Sequence, residues 1–153
     1  LMERRGRAFY KKVSEQTDDP NVKKIFDIMA KEEVIHEKFL IEQMDYYQSN
    51  ETFEAKKLPK EDEDSIAQLI LSGAVKQSIS AAGFEAAAIS AAIDMENKAI
   101  DIYTERAENA DDPNERNLYQ WLADWEKSHH KILNELDKEL KESIWNDNQF
   151  WPF

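Results

Sequence analysis

The chain has 153 residues, 32 acidic against 20 basic side chains, a formal charge of −12 and no cysteine. That length suits one domain, here 1–153, able to bury a core unaided. The composition excludes disulfides, thiolate metal sites and cysteine nucleophiles, and the acidic field repels nucleic acid and anionic membrane while concentrating cations. No apolar run approaches the ~18 residues of a membrane span and no charged-then-apolar leader precedes the first helix, so a soluble, cytoplasmic protein is expected.

Three Gly and four Pro among abundant Ala, Glu, Lys and Leu point to an all-α chain. A first helix is expected over 1–16. It gives way to Asp18-Asp19-Pro20-Asn21, where Asp supplies an N-cap and Pro the first turn of a second helix over 20–48. The connection 49–75 starts polar, contains Leu58-Pro59, and has a short helical stretch in Asp64–Leu71 ended near Gly73. It is too long for a tight hairpin and suits a crossover along a bundle. A third helix over 76–109 ends at Asp111-Asp112-Pro113-Asn114, which opens a fourth over 113–141. The tail 142–153 carries Trp145, Phe150, Trp151 and Phe153 and is expected to dock on the bundle or on a second chain.

The two Asp-Asp-Pro-Asn turns are 93 residues apart, and the chain matches itself without gaps at that offset. Glu3, Tyr10, Glu15, Asp18, Asp19, Pro20, Asn21, Ala30, Glu33, His36, Lys38, Leu40 and Glu42 each meet the same residue type in 96–137. The chain is thus two copies of one helical hairpin. A single hairpin cannot cover its own apolar face, so two copies about a pseudo-twofold axis make a four-helix bundle.

Phe26, Met29, Glu33, His36 and Leu40 step by 3, 4, 3 and 4, the inward stripe of a bundle helix. Tyr119, Leu122, Glu126, His129 and Leu133 repeat it, so Glu33, His36, Glu126 and His129 point into the core. Two buried carboxylates at one level require a compensating charge. Glu3 and Glu96 each precede their Glu-x-x-His by 30 residues, and antiparallel arms across a short turn bring them toward the same level. One Glu from each of two helices with Glu-x-x-His from each of the others is the ligand set of bundle di-iron and di-manganese sites. Four carboxylates, two neutral imidazoles and two divalent cations sum to zero charge. The donors suit Fe or Mn, with Zn able to substitute in vitro.

His130 competes with His129 but pairs in the repeat with Glu37, on the solvent side. Tyr10 and Tyr103, seven residues after Glu3 and Glu96, read as core residues able to hydrogen-bond a ligating carboxylate. Trp121 and Trp125 read as packing residues. Glu32, Glu37, Glu42, Glu135 and Asp137 read as solvated faces. Each imidazole needs an acceptor for its second N–H, and Asp94 and Asp101 are the candidates considered.

The segments Glu3-Arg-Arg-Gly6-Arg-Ala-Phe9-Tyr10, Glu33-Val-Ile-His36, Glu96-Asn-Lys-Ala99-Ile-Asp-Ile-Tyr103 and Glu126-Lys-Ser-His129 together resemble the ferritin-like superfamily, and within it the rubrerythrin-like branch. The likeness covers nearly the whole chain. It implies a ferritin-like bundle with two iron ions, Glu3 and Glu96 as terminal ligands, Glu33 and Glu126 bridging, and His36 and His129 capping one ion each. It also implies an oxidoreductase reacting with dioxygen or hydrogen peroxide. Full-length rubrerythrins carry a four-cysteine iron site that is lacking here, so an external electron donor is expected. They also carry an extra carboxylate near the third-helix Glu, where this chain has Ala92, Ile93, Ala99 and Ile100. That departure counts against efficient peroxidase turnover and suggests a more symmetric site. The alternative is an iron-binding, ferroxidase or storage protein, and a homo-oligomer is expected. Because Glu3 stands so near the chain start, an earlier natural beginning of the first helix, or a second chain packed over that end, is expected.

Overall fold

The computed structural model describes residues 1–59 and 83–146. Four helices account for most of them: α1 (Met2–Gln16), α2 (Pro20–Asn50), α3 (Phe84–Asn109) and α4 (Pro113–Asn146). With no strand among the described residues, the protein is an all-α four-helix bundle. No helix among them is long and apolar enough to cross a membrane.

Local chemistry sets the helix ends. Asp19 accepts from the backbone N–H groups of Asn21 and Val22 at 2.8 and 3.0 Å, ahead of Pro20 in the first turn of α2. Asp112 accepts from Asn114 N–H at 2.7 Å at the equivalent place before α4. α2 ends at Glu51, whose φ of 55° is the left-handed C-cap conformation.

Apart from a one-residue difference at the start of α1, three boundaries differ from the sequence expectation. α2 runs to Asn50 rather than 48. The third helix starts at Phe84 rather than at 76, because Gly83 is extended (φ −90°, ψ 175°) and serves as its N-cap. The fourth runs to Asn146, taking Trp145 into the helix instead of the tail. The expected short helix at 64–73 and the aromatic residues Phe150, Trp151 and Phe153 lie outside the described residues.

α1 packs on α2, α3 on α4, and α1 on α3. The start of the long connection is held by side chains. Gln43 donates to Glu54 O at 3.1 Å and accepts from Glu54 N–H at 3.0 Å. Asp112 accepts from the Thr52 hydroxyl and Phe53 N–H, while Trp121 Nε1 donates to Pro59 O at 2.9 Å. Over residues 52–59 the chain therefore leaves α2 along α4.

The core has three layers. One apolar cluster contains Tyr10, Phe26, Met29, Ile89, Ala92 and Leu133. A second contains Ala99, Tyr103, Leu118 and Leu122, with Leu40 packed against it. Along α2, α3 and α4, the residues between these clusters are Glu33 and His36, Glu96, and Glu126 and His129. The inward stripes thus run apolar, charged, apolar, and the side chains of the charged layer are buried inside the bundle.

Candidate metal centre

The six residues singled out from the sequence meet in that middle layer. Glu3, Glu33, His36, Glu96, Glu126 and His129 are each at most 4% exposed. Their donor atoms form two overlapping groups, Glu3, Glu33, His36 and Glu126, and Glu33, Glu96, Glu126 and His129, each within 4.8 Å of one another. Glu33 and Glu126 belong to both. His36 Nδ1 lies 3.0 Å from Glu3, 3.1 Å from Glu126 and 3.6 Å from Glu33. His129 Nδ1 lies 3.1 Å from Glu126 and 3.4 Å from Glu96. Each group could hold a metal ion.

The donor set fits hard or borderline divalent cations, with three carboxylates and one imidazole nitrogen per position and no sulfur. Electrostatics points the same way. Burial pushes Glu33 well above the ordinary carboxylate range and Glu96 up to about 7, against the pull of the neighbouring imidazoles. Burial opposes charging of His36 and His129, but hydrogen bonds that the imidazoles donate to the surrounding carboxylates outweigh it and hold both pKa values high. Glu126 is raised by burial yet held low overall, because both imidazoles hydrogen-bond it. Without metal, protons serve as the counter-charge that two cations would supply.

The phenols cross between the halves. Tyr10 of the first hairpin donates to Glu96 of the second, and Tyr103 of the second donates to Glu3 of the first. Burial followed by the carboxylates around them pushes both hydroxyls well above the ordinary phenol range, so they remain donors. Each phenol thus meets the outer carboxylate of the opposite half rather than one of its own.

Gly6 allows a close approach. A Cβ there would lie 2.8 Å from Glu33 Oε1 and 3.0 Å from its Cδ, so the α1 backbone forms one wall of the Glu33 carboxylate. Beside it, a cleft of about 500 Å³ opens between α1 and α3 and reaches the carboxylates of Glu3, Glu33, Glu96 and Glu126. Its lining respects the repeat, including the equivalent pairs Met2 and Met95, Arg5 and Lys98, and Gly6 and Ala99.

One site-adjacent residue contradicts its sequence reading. Glu32, read as solvated, is buried, and its Oε2 lies 2.7 Å from His129 Nε2. It sits beside Glu33 on α2, turned toward α4 rather than α1. Asp94 and Asp101 are exposed and reach neither imidazole. The available signal was in the repeat: Glu32 is equivalent to Trp125, an unusual exchange for a solvent-facing position. Trp125 is buried, stands edge-on to His36 at 4.8 Å, and points Nε1 at Glu32. His130 lies to the side, half-buried against Asn134, and Glu37 pairs at the surface with Arg4 and Arg7.

A four-helix bundle with four carboxylates and two imidazoles buried at mid-height defines a di-metal carboxylate class of protein. A family model described as Rubrerythrin matches residues 1–83 and 87–148. The chain belongs to the rubrerythrin family, a ferritin-like family of di-iron carboxylate proteins. Comparison with curated proteins gives no match, and comparison with solved structures gives none.

Proposed function

We propose that the chain is a di-iron oxidoreductase that reduces hydrogen peroxide or dioxygen and draws electrons from a separate donor. The observation that carries this reading is the pair of overlapping four-residue groups sharing Glu33 and Glu126. Two bound ferrous ions supply one electron each, enough with two protons to convert one hydrogen peroxide to two waters. In this reading Glu33 and Glu126 serve both ions, Glu3 with His36 and Glu96 with His129 complete one position each, and manganese is an alternative occupant. The chain's other residues orient and exclude. Tyr10 and Tyr103 fix the outer carboxylates, the apolar layers keep bulk water out, and the cleft between α1 and α3 admits a small oxidant. These residues include no cysteine for an iron–sulfur relay, and in this reading electrons reach the site from an external donor.

A second reading is ferroxidase or iron storage without peroxidase turnover. It is favoured by the apolar neighbours Ala92, Ile93, Ala99 and Ile100 around Glu96, which offer no further carboxylate to the site. Stopped-flow mixing of anaerobic ferrous protein with each oxidant, followed by a reductase system, separates the two. Oxidation of two ferrous equivalents per chain with repeated cycling supports the oxidoreductase. Iron uptake beyond two per chain in a large assembly supports storage, and oxidation no faster than that of free ferrous iron removes both reactive readings.

A further inference from the structure

The two buried imidazoles differ in what their outer nitrogens meet. His129 Nε2 lies 2.7 Å from Glu32 Oε2, the same oxygen toward which Trp125 Nε1 points at 3.4 Å. His36 Nε2 is buried without a hydrogen-bond partner among the described residues. Around it stand Trp125 and Trp121, edge-on at ring centroid distances of 4.8 and 5.5 Å. The repeat makes the cause plain. Positions 32 and 125 are equivalent, and a carboxylate occupies the first where an indole occupies the second.

We infer that the two halves of the cluster bind metal unequally. Glu32 is a positioning residue that tightens the position formed with Glu96 and His129, and Trp125 leaves the position formed with Glu3 and His36 the weaker. This rests on the di-metal reading above. A carboxylate on Nε2 holds the proton there, which leaves the Nδ1 lone pair directed at the metal and raises its basicity. At His36 the same tautomer places an N–H against indole rings, which are weak acceptors at best. The competing tautomer, with its proton on Nδ1 among three carboxylates, must be given up before a metal can bind. The inner ligands match in type and burial, and the asymmetry argued here lies at the outer nitrogens. It therefore alters the relative affinity of the two positions without altering the donor set.

The test is a Mn²⁺ titration of the full chain, followed by calorimetry and by electron paramagnetic resonance. The wild type is expected to bind in two steps about 10-fold or more apart. An uncoupled manganese signal should appear at the first equivalent, and magnetic coupling at the second. Glu32→Gln, nearly isosteric, should weaken the tighter step by about 10–100-fold and bring the steps together. Trp125→Glu supplies an acceptor to His36 and should tighten the weaker step. Should that variant fail to fold by circular dichroism, Trp125→Phe, which keeps a ring and removes only the donor to Glu32, should preserve the two-step order. Two ions bound with equal affinity by the wild type, or both steps weakened alike by Glu32→Gln, would overturn the inference and leave the di-metal reading standing. No Mn²⁺ binding at all would remove that reading and the inference with it.

Discussion

The two hairpins, 1–50 and 84–146, repeat one backbone plan and one ligand pattern, yet diverge at chosen positions. Glu3, Tyr10, Glu33 and His36 have identical equivalents, and all of these face the charged layer. The differences lie one step outward. Glu32 exchanges with Trp125, Gly6 with Ala99, and Gln43, which pairs with the backbone of Glu54, with Leu136, a core residue. Thr17, whose hydroxyl donates to Glu85 at 2.8 Å, exchanges with Ala110. A repeated scaffold thus holds its inner carboxylates and imidazoles constant while the surrounding residues take up different tasks, namely holding the segment after α2 and giving the two imidazoles different environments.

The largest expected effect tests the inner symmetry. Because Glu33 and Glu126 belong to both groups, Glu33→Ala or Glu126→Ala should abolish retention of both ions. Glu3→Ala or Glu96→Ala should leave about one ion per chain, since each removes a ligand from a single position. Metal content after exhaustive dialysis distinguishes the outcomes. Equal losses for Glu3→Ala and Glu33→Ala would break the sharing of Glu33 between the halves. Thermal stability in the presence of metal should follow the same order, because the remaining buried carboxylates lose their counter-charge.

Stability against pH is the next effect in size. Glu96 has a folded pKa of about 7 against an ordinary value of 4.5, so its contribution is fully present below about 4.5 and lost as pH rises to about 7. Glu33 shifts in the same direction. The imidazoles, held above their ordinary 6.5, contribute stability below that value and lose it as pH rises through their folded values. Glu126, held low, loses its contribution only on acidification below its ordinary 4.5 and does not act in this window. Metal-free protein should therefore melt at a lower temperature at about pH 8 than at about pH 5. Adding Mn²⁺ should reverse the trend, because the cations replace the protons. A pH-independent melting temperature in chelator would show that the buried cluster does not hold the protons assigned to it.

Much of this was legible in the sequence because repetition tests periodicity. A single stripe such as Phe26, Met29, Glu33, His36 and Leu40 marks one inward face, and its recurrence 93 residues later picks out the Glu and His side chains that the structure brings together in one buried layer. The surroundings of the site were less legible. A stripe with steps of 3 and 4 describes one contact direction, whereas α2 meets α1 on one flank and the side chains of α4 on another. Glu32 falls on that second flank and is buried there against a reading that assigned it to solvent. Asp94 and Asp101 failed as imidazole acceptors for the converse reason, since they lie on the exposed side of α3. The start of α3 differs from the expectation because Gly83 takes an extended conformation and caps the helix.

A smaller effect sharpens the Gly6 and Ala99 difference. Gly6→Ala places a methyl 2.8 Å from Glu33 Oε1, and the carboxylate, as the end of a flexible side chain, can move aside. Folding stability should change little, while metal affinity should fall about 10-fold as a shared ligand is displaced. The reciprocal Ala99→Gly should cost about 1 kcal/mol through helix propensity and leave metal affinity nearly unchanged. Calorimetric unfolding and Mn²⁺ titration of the two variants measure the two quantities separately. If Gly6→Ala binds metal as the wild type does, the glycine serves helix packing alone.

The smallest expected effect concerns the crossed phenols. Tyr10→Phe removes the donor to Glu96, and Tyr103→Phe removes the donor to Glu3, with ring packing kept in both cases. Each carboxylate retains its imidazole neighbour and its metal, so the loss is one charge-assisted hydrogen bond, worth roughly 1.5–3 kcal/mol before the carboxylate finds another partner. Relaxation should reduce this to a less than tenfold loss of affinity. The location of the loss is more telling than its size. Because each tyrosine serves the opposite hairpin, Tyr10→Phe should weaken the position formed with Glu96 and His129, and Tyr103→Phe the one formed with Glu3 and His36. With binding steps separated by the Glu32 asymmetry, a Mn²⁺ titration reads this directly: Tyr10→Phe should shift the tighter step and Tyr103→Phe the weaker one. Shifts in the reverse assignment would mean that each phenol acts within its own hairpin, and that the crossed hydrogen bonds do not persist once metal is bound.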